Sequence, residues 1–178
     1  SLEAGNIFDI YTSENIYGIK AYIHPEYSQA GPGAYGVIYE IAGGVRIWLT
    51  STEPSPITIS ESNMGWVEFI FSNPVPLLAG SQYFIGVGGI SNFQDTICVG
   101  NSGDSQDYTS YIHDIDGTTN NLTAATWYWM TQTSMVRALM GENPVASVSA
   151  ESANSFEIIP NPSNGIINIE SDNLAKLV

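Results

Sequence analysis

With 18 aspartates and glutamates against 4 lysines and arginines in 178 residues, the chain carries a formal charge of −14, which repels a phosphate backbone. Nucleic acid is thereby excluded as a partner and anionic membrane surfaces are disfavoured, while no run approaches the roughly 20 apolar residues that span a bilayer, so membrane insertion is not expected. Only 12% of residues are charged, about half the usual share, and glycine and tyrosine are plentiful, as in extracellular β proteins with hydroxyl and amide surfaces.

The pattern begins with Ile7 to Thr12 and Ile16 to His24, where alternating apolar and polar residues predict two strands, the second with Tyr17, Ile19, Ala21 and Ile23 on one face. Pro25 stops it, and the glycine- and proline-rich run to Gly36 reads as a long loop. Val37 to Ile41 and Val45 to Thr50 flank Gly43-Gly44, a dipeptide suited to a primed hairpin turn. Val45, Ile47 and Leu49 then face one way and Arg46, Trp48 and Thr50 the other. Glu53 to Pro56 is a turn cluster, followed by a short strand at Ile57 to Ser60. The chain is organised around Gly65 to Ile90. There Val67, Phe69 and Phe71 point inward and Trp66, Glu68 and Ile70 outward. Pro74 and Pro76 cannot donate to a ladder and are expected to end that strand. Gly80-Ser81 supplies a turn, and Tyr83 to Gly88 starts again, giving a β-arch or a long hairpin.

Further on, Thr96 to Val99 reads as a buried strand around the single cysteine, Cys98, which has no partner for an intrachain bridge. Two polar runs, Gly100 to Asp107 and His113 to Thr123, read as loops. Trp127 to Met130 and Met135 to Met140 are the last strands, closed by Gly141. About nine or ten short strands and no helix of three turns predict an all-β antiparallel β-sandwich of the jelly-roll type over residues 1–144. Residues 145–155 are small, polar and aperiodic, the composition of a linker. Residues 156–178 then hold a strand at Phe156 to Ile159, a turn fixed by two prolines and Asn164-Gly165, and a strand at Ile166 to Ile169.

In that last segment Phe156, Pro160-Asn161-Pro162, Gly165 and the alternating Ile167 and Ile169 resemble the opening of the C-terminal sorting domain that bacteria of the Bacteroidetes group use in type IX secretion. The resemblance covers residues 156–178 alone and implies a domain that continues further. It also implies a secreted or outer-membrane surface-attached protein whose tail, through Pro160, Asn161, Pro162 and Gly165, engages the secretion machinery. The N-terminal SLEAGN lacks a charged-then-apolar signal pattern, so the expectation is that a signal peptide lies outside this sequence. Upstream, the layout of Trp66, a proline pair, Leu77-Leu78-Ala79-Gly80, a tyrosine strand and Met135-Val136-Arg137-Ala138 is similar to galactose-binding-like jelly-roll modules that precede such tails. That similarity implies a non-catalytic domain and names no ligand.

Catalysis has little to rest on. Gly100-Asn101-Ser102-Gly103-Asp104-Ser105 is similar to the nucleophile segment of trypsin-like proteases but in the wrong order, and His24 and His113 lack any signature of a general base. Glu40 and Glu68 are eligible as a glycosidase pair only as any two of many strand acids would be, so no enzyme is expected. For a metal, Asp114, Asp116 and Asn120 around Gly117, with Asn121 beyond, offer the oxygen donors Ca²⁺ takes, although no closing glutamate completes an EF-hand; an Asp-Gly turn is the rival reading. Asp104 and Asp107 form a weaker set that Asp95 could join. Aromatic residues carry the binding expectation, because sugar rings stack their C–H faces on indole or phenol while amides and carboxylates take the hydroxyls. The candidates are Trp48, Trp66, Tyr108, Tyr111, Trp127 and Trp129, with burial of these rings in the core as the alternative. Arg46 and Arg137 are each expected to pair with a carboxylate, Arg137 partly buried. The expected function is recognition of a carbohydrate or other surface polymer, or adhesion, with a ligand-free spacer or an accessory part of an extracellular hydrolase as alternatives.

Overall fold

A computed structural model of the chain describes residues 2–24, 28, 33–56, 65–90, 97–115, 126–141, 157–159 and 168–170. These residues form strands and no helix, and every strand pair is antiparallel. The chain divides into two units, Ser1–Asn143 and Pro144–Val178.

In the first unit the strands are β1 (Leu2–Asp9), β2 (Glu14–Tyr22), β3 (Gly33–Ala42), β4 (Val45–Ser51), β5 (Ser55–Pro56), β6 (Trp66–Leu77), β7 (Gln82–Ile90), β8 (Asn101–Asp104), β9 (Ser110–Asp114), β10 (Thr126–Met130), β11 (Gln132–Ser134) and β12 (Val136–Met140). The larger sheet has the order β10-β9-β1-β7-β3-β4, with β5 also on β3; the smaller is β12-β2-β6, and β8 and β11 form a ribbon of their own. Ile16, Ile19, Phe69, Phe71 and Val136 of the smaller sheet pack in one cluster with Ile38, Tyr83, Ile85 and Val87 of the larger. The first unit is therefore an antiparallel β-sandwich. Each fully buried large apolar side chain in that layer contributes about 1.5–3 kcal/mol, which is what holds the two sheets face to face.

The central segment follows its predicted phase, with Phe69 and Phe71 buried and Glu68 and Ile70 exposed. The prolines do not end the strand, however: β6 runs through Pro74 and Pro76 to Leu77. The reason is position, since β6 pairs only with β2 and a proline at a sheet edge costs no ladder bond. β6 and β7 lie in different sheets, so their connection is an arch. Gly80 takes φ +82° there, and the Leu78 N–H donates to the Tyr83 hydroxyl at 3.1 Å.

Other expectations shift for identifiable reasons. The first strand occupies Leu2–Asp9, earlier than the Ile7 to Thr12 pattern, because Gly5 and Asn6 interrupt an apolar rhythm that pairing with β7 and β9 still sustains. In β2 an irregularity between Ile16 and Gly18 brings Ile16 into the buried face in place of Tyr17, which is half-buried. The Gly43-Gly44 turn has both residues at positive φ, +58° and +80°, as a primed hairpin requires. Ser55–Pro56, in the predicted turn cluster, pairs with the start of β3. The first polar run read as a loop contains strand β8, paired with β11, and β9, between the two runs, ends in the first two residues of the second and is held by ladders to β1 and β10. Around the cysteine there is no strand but an isolated bridge, Ile23 to Val99; Ile97 is buried and Cys98 only half-buried. The predicted strand at residues 57–60 lies outside the described residues.

In the second unit β13 (Glu157–Ile159) pairs with β14 (Asn168–Glu170), Ile158 opposite Ile169. Pro160, Asn161, Pro162 and Gly165 lie outside the described residues, as does the predicted linker.

Candidate functional site

A strand has two faces, and the larger sheet gives only one of them to the sandwich core. Its other face carries a second buried cluster: Val37, Tyr39, Phe84 and Tyr111, with Ile7, Tyr35, Trp127 and Trp129 packed against them. These positions alternate with the core residues of the same strands, so Tyr39 lies beside Ile38 in sequence and Phe84 beside Tyr83, yet each pair is split between two layers. Glycines make the floor. A Cβ at Gly88 would stand 2.5 Å from the Tyr35 ring, and one at Gly86 would stand 2.8 Å from the Phe84 ring, so both rings lie over bare backbone.

Within this aromatic layer sits a polar network that nothing in local sequence announces. Glu3 is 2% exposed and accepts three hydrogen bonds: from the Tyr35 hydroxyl at 3.0 Å, the Tyr39 hydroxyl at 2.9 Å and His113 Nδ1 at 2.8 Å. The Trp127 indole stacks flat on the His113 ring, with centroids 4.0 Å apart and planes 4° from parallel. It also meets Tyr39 and Phe84 edge-on, at 5.1 and 4.9 Å. Glu3 therefore fixes the histidine, and the histidine fixes the tryptophan.

Burial first, and then the neighbouring Glu3 charge, hold the Tyr39 hydroxyl well above the ordinary tyrosine range. The unfolded chain would release this proton near pH 10 and the folded one would not, so stability is intact below that point and falls above it. One such group contributes a slope of about 1.4 kcal/mol per pH unit. Equilibrium urea unfolding at pH 9 to 11.5 should show this slope, reduced by that amount in Tyr39→Phe. An unchanged slope in the variant would mean that Tyr39 ionises as freely in the fold as outside it.

The face is concave. Strands β4 and β9 lie four ladder spacings apart in the sheet order, roughly 19 Å if flat, which is further than an arginine extends. Arg46 of β4 nevertheless places its guanidinium 4.2 Å over the Tyr111 ring and 4.8 Å over Trp127, so the sheet curls until its two ends share a cleft. On the rim, Trp48 stands opposite Tyr39 in register and is 58% exposed. At the other end Tyr108, in a turn at φ +61° and 65% exposed, meets Trp129 edge-on at 5.4 Å.

The structure thus brings Tyr108, Tyr111, Trp127 and Trp129 into one cluster and puts Trp48 on the same face. Tyr111 lies in β9. Trp66 is elsewhere, on the outer face of the smaller sheet beside Tyr22, with the Arg137 guanidinium 4.3 Å over its ring. Neither arginine makes the carboxylate pair expected of it among the described residues; both stack on aromatic rings, and Arg137 is exposed where partial burial was expected. A guanidinium is planar and weakly hydrated, so an aromatic face competes with a carboxylate for it. Asp114 is not on a glycine-bent loop: it ends β9 and is 1% exposed. Asp116 and Asn120 lie outside the described residues, and among those described no three His, Cys, Asp or Glu side chains come together as a metal would need. The segment likened to a protease nucleophile is the exposed strand β8, and His113 holds Glu3 instead of a serine. Glu68 is exposed and paired with Lys20 at 2.7 Å, in a different sheet from Glu40. The residues sequence reasoning missed are Glu3, Tyr35, Tyr39, Phe84 and His113 as supports, and Arg46 as a member of the cleft; glycines at 86 and 88 under a strand pattern were the available signal. Comparison with protein-family models, with curated proteins and with solved structures finds no match for this chain.

Proposed function

We propose that this chain is a non-catalytic module of a secreted or cell-surface protein that binds carbohydrate through the concave face of the larger sheet. The observation that carries the reading is the pairing of an exposed rim tryptophan, Trp48, with a floor of fixed aromatic rings held by buried hydrogen bonds. Rings locked in place lose little conformational freedom on stacking against a sugar, so the contact energy goes into affinity. The jelly-roll topology and export through the sorting-like tail belong to the same proposal, supported by the sequence resemblances alone.

Affinity electrophoresis in gels containing soluble polysaccharides, with and without Ca²⁺, tests it. The expected result is retardation by at least one polymer that falls tenfold or more in Trp48→Ala, about 1.4 kcal/mol, at an unchanged melting temperature because the side chain is mostly in solvent. Free migration in every gel, or undiminished retardation of the variant, would refute the reading.

A further inference from the structure

We propose that the saccharide taken by the concave face is acidic, and that Arg46 receives its carboxylate or sulfate group. This rests on the reading of the face as a sugar platform. Tyr111 and Trp127 hold the guanidinium plane at 4.2 and 4.8 Å, and Arg46 Nε is buried with no hydrogen-bond partner among the described residues. A buried donor left unpaired costs stability, and native structures seldom tolerate one without a reason. No ion pair relieves it among the described residues, in a chain with 18 acidic side chains to choose from. Glu3, the buried acid of this face, is already engaged by Tyr35, Tyr39 and His113. The other described cations differ: Lys20 is paired with Glu68, and Arg137 stacks on Trp66 but is exposed, so water serves its donors. Arg46 alone of these is oriented, partly desolvated and without a counter-charge, beside an aromatic surface. An oxyanion on a sugar ring fits both features together: the guanidinium takes the anion and the exposed indole of Trp48, on the same face, takes the C–H face. The charge of −14 opposes an anionic polymer at long range, but salt screens that repulsion beyond about 8 Å at physiological strength, and the cleft sets the contact locally.

The test is a titration of the whole chain, and of Arg46→Gln and Arg46→Lys, with four polymers: polygalacturonate, its methyl ester, a sulfated galactan and a neutral galactan. The wild type should bind polygalacturonate or the sulfated galactan at least tenfold more tightly than the ester or the neutral polymer, and which of the two it prefers identifies the anion. Arg46→Gln should lose that preference yet keep the residual affinity for the neutral polymer, and Arg46→Lys should keep part of it. Equal wild-type affinity for free acid, sulfate, ester and neutral chains overturns the inference and leaves the platform standing; no binding to any polymer overturns both. A preference retained in Arg46→Gln also overturns it. If that variant does not fold, the wild-type comparison of free acid with ester decides.

Discussion

Replacing Glu3 by alanine is expected to destabilise the sandwich by about 3–5 kcal/mol, the cost of removing one partner from a buried charged network. The carboxylate is 2% exposed, and its loss removes the acceptor shared by the hydroxyls of Tyr35 and Tyr39 and by His113 Nδ1, leaving Tyr39 and His113 the longer contact with each other at 3.4 Å. Little water can reach the last two, because Tyr39 and His113 are themselves buried and Trp127 covers the imidazole. For a unit of this size the melting temperature should fall by roughly 10 to 15 °C. Glu3→Gln keeps the volume and one acceptor oxygen, so it should fall between wild type and alanine. Thermal unfolding of the three proteins settles the matter: an alanine variant within about 1 kcal/mol of wild type would show that the network is not a support.

Phe84→Ala should cost a similar amount, about 3–5 kcal/mol, for a different reason. Phe84 is fully buried on the concave face, with Trp127 at 4.9 Å and Tyr39 at 6.0 Å, and its ring lies over Gly86. Truncation leaves a cavity under Trp127 that a rigid sheet floor cannot close. Phe69→Ala, in the layer between the sheets, should destabilise comparably without touching that indole. Near-ultraviolet circular dichroism separates the two: the tryptophan signal should weaken in Phe84→Ala and persist in Phe69→Ala under folding conditions. Identical spectra would contradict the assignment of Phe84 as the support of Trp127.

How much of this was legible depended on the range of the interaction. Phe69 and Phe71 announced their face because alternation is a local property, and Gly43-Gly44 announced a turn because positive φ is a demand on two residues. Pro74 and Pro76 misled because their cost depends on whether a neighbour strand lies on that side, which is a fact of topology. Tyr17 misled because one extra residue in a ladder reverses the phase of everything before it. Strand β8 was hidden in polar sequence, since an edge ribbon needs little β propensity of its own. The aromatic platform was half legible: five of the six expected rings do share a face, and Trp66 does not. Its support was not legible at all. Glu3 and His113 are 110 positions apart, and Arg46 meets Tyr111 only because the sheet curls.

The central claim, that the concave face is where ligand lands, is tested most directly by the indole N–H signals of the four tryptophans in a two-dimensional ¹H–¹⁵N spectrum titrated with galacturonide and neutral galactan oligosaccharides. The account predicts saturable shifts of Trp48 and Trp127, with Trp66 on the other sheet unmoved. Movement of Trp66 alone, or of none of the four, would contradict it.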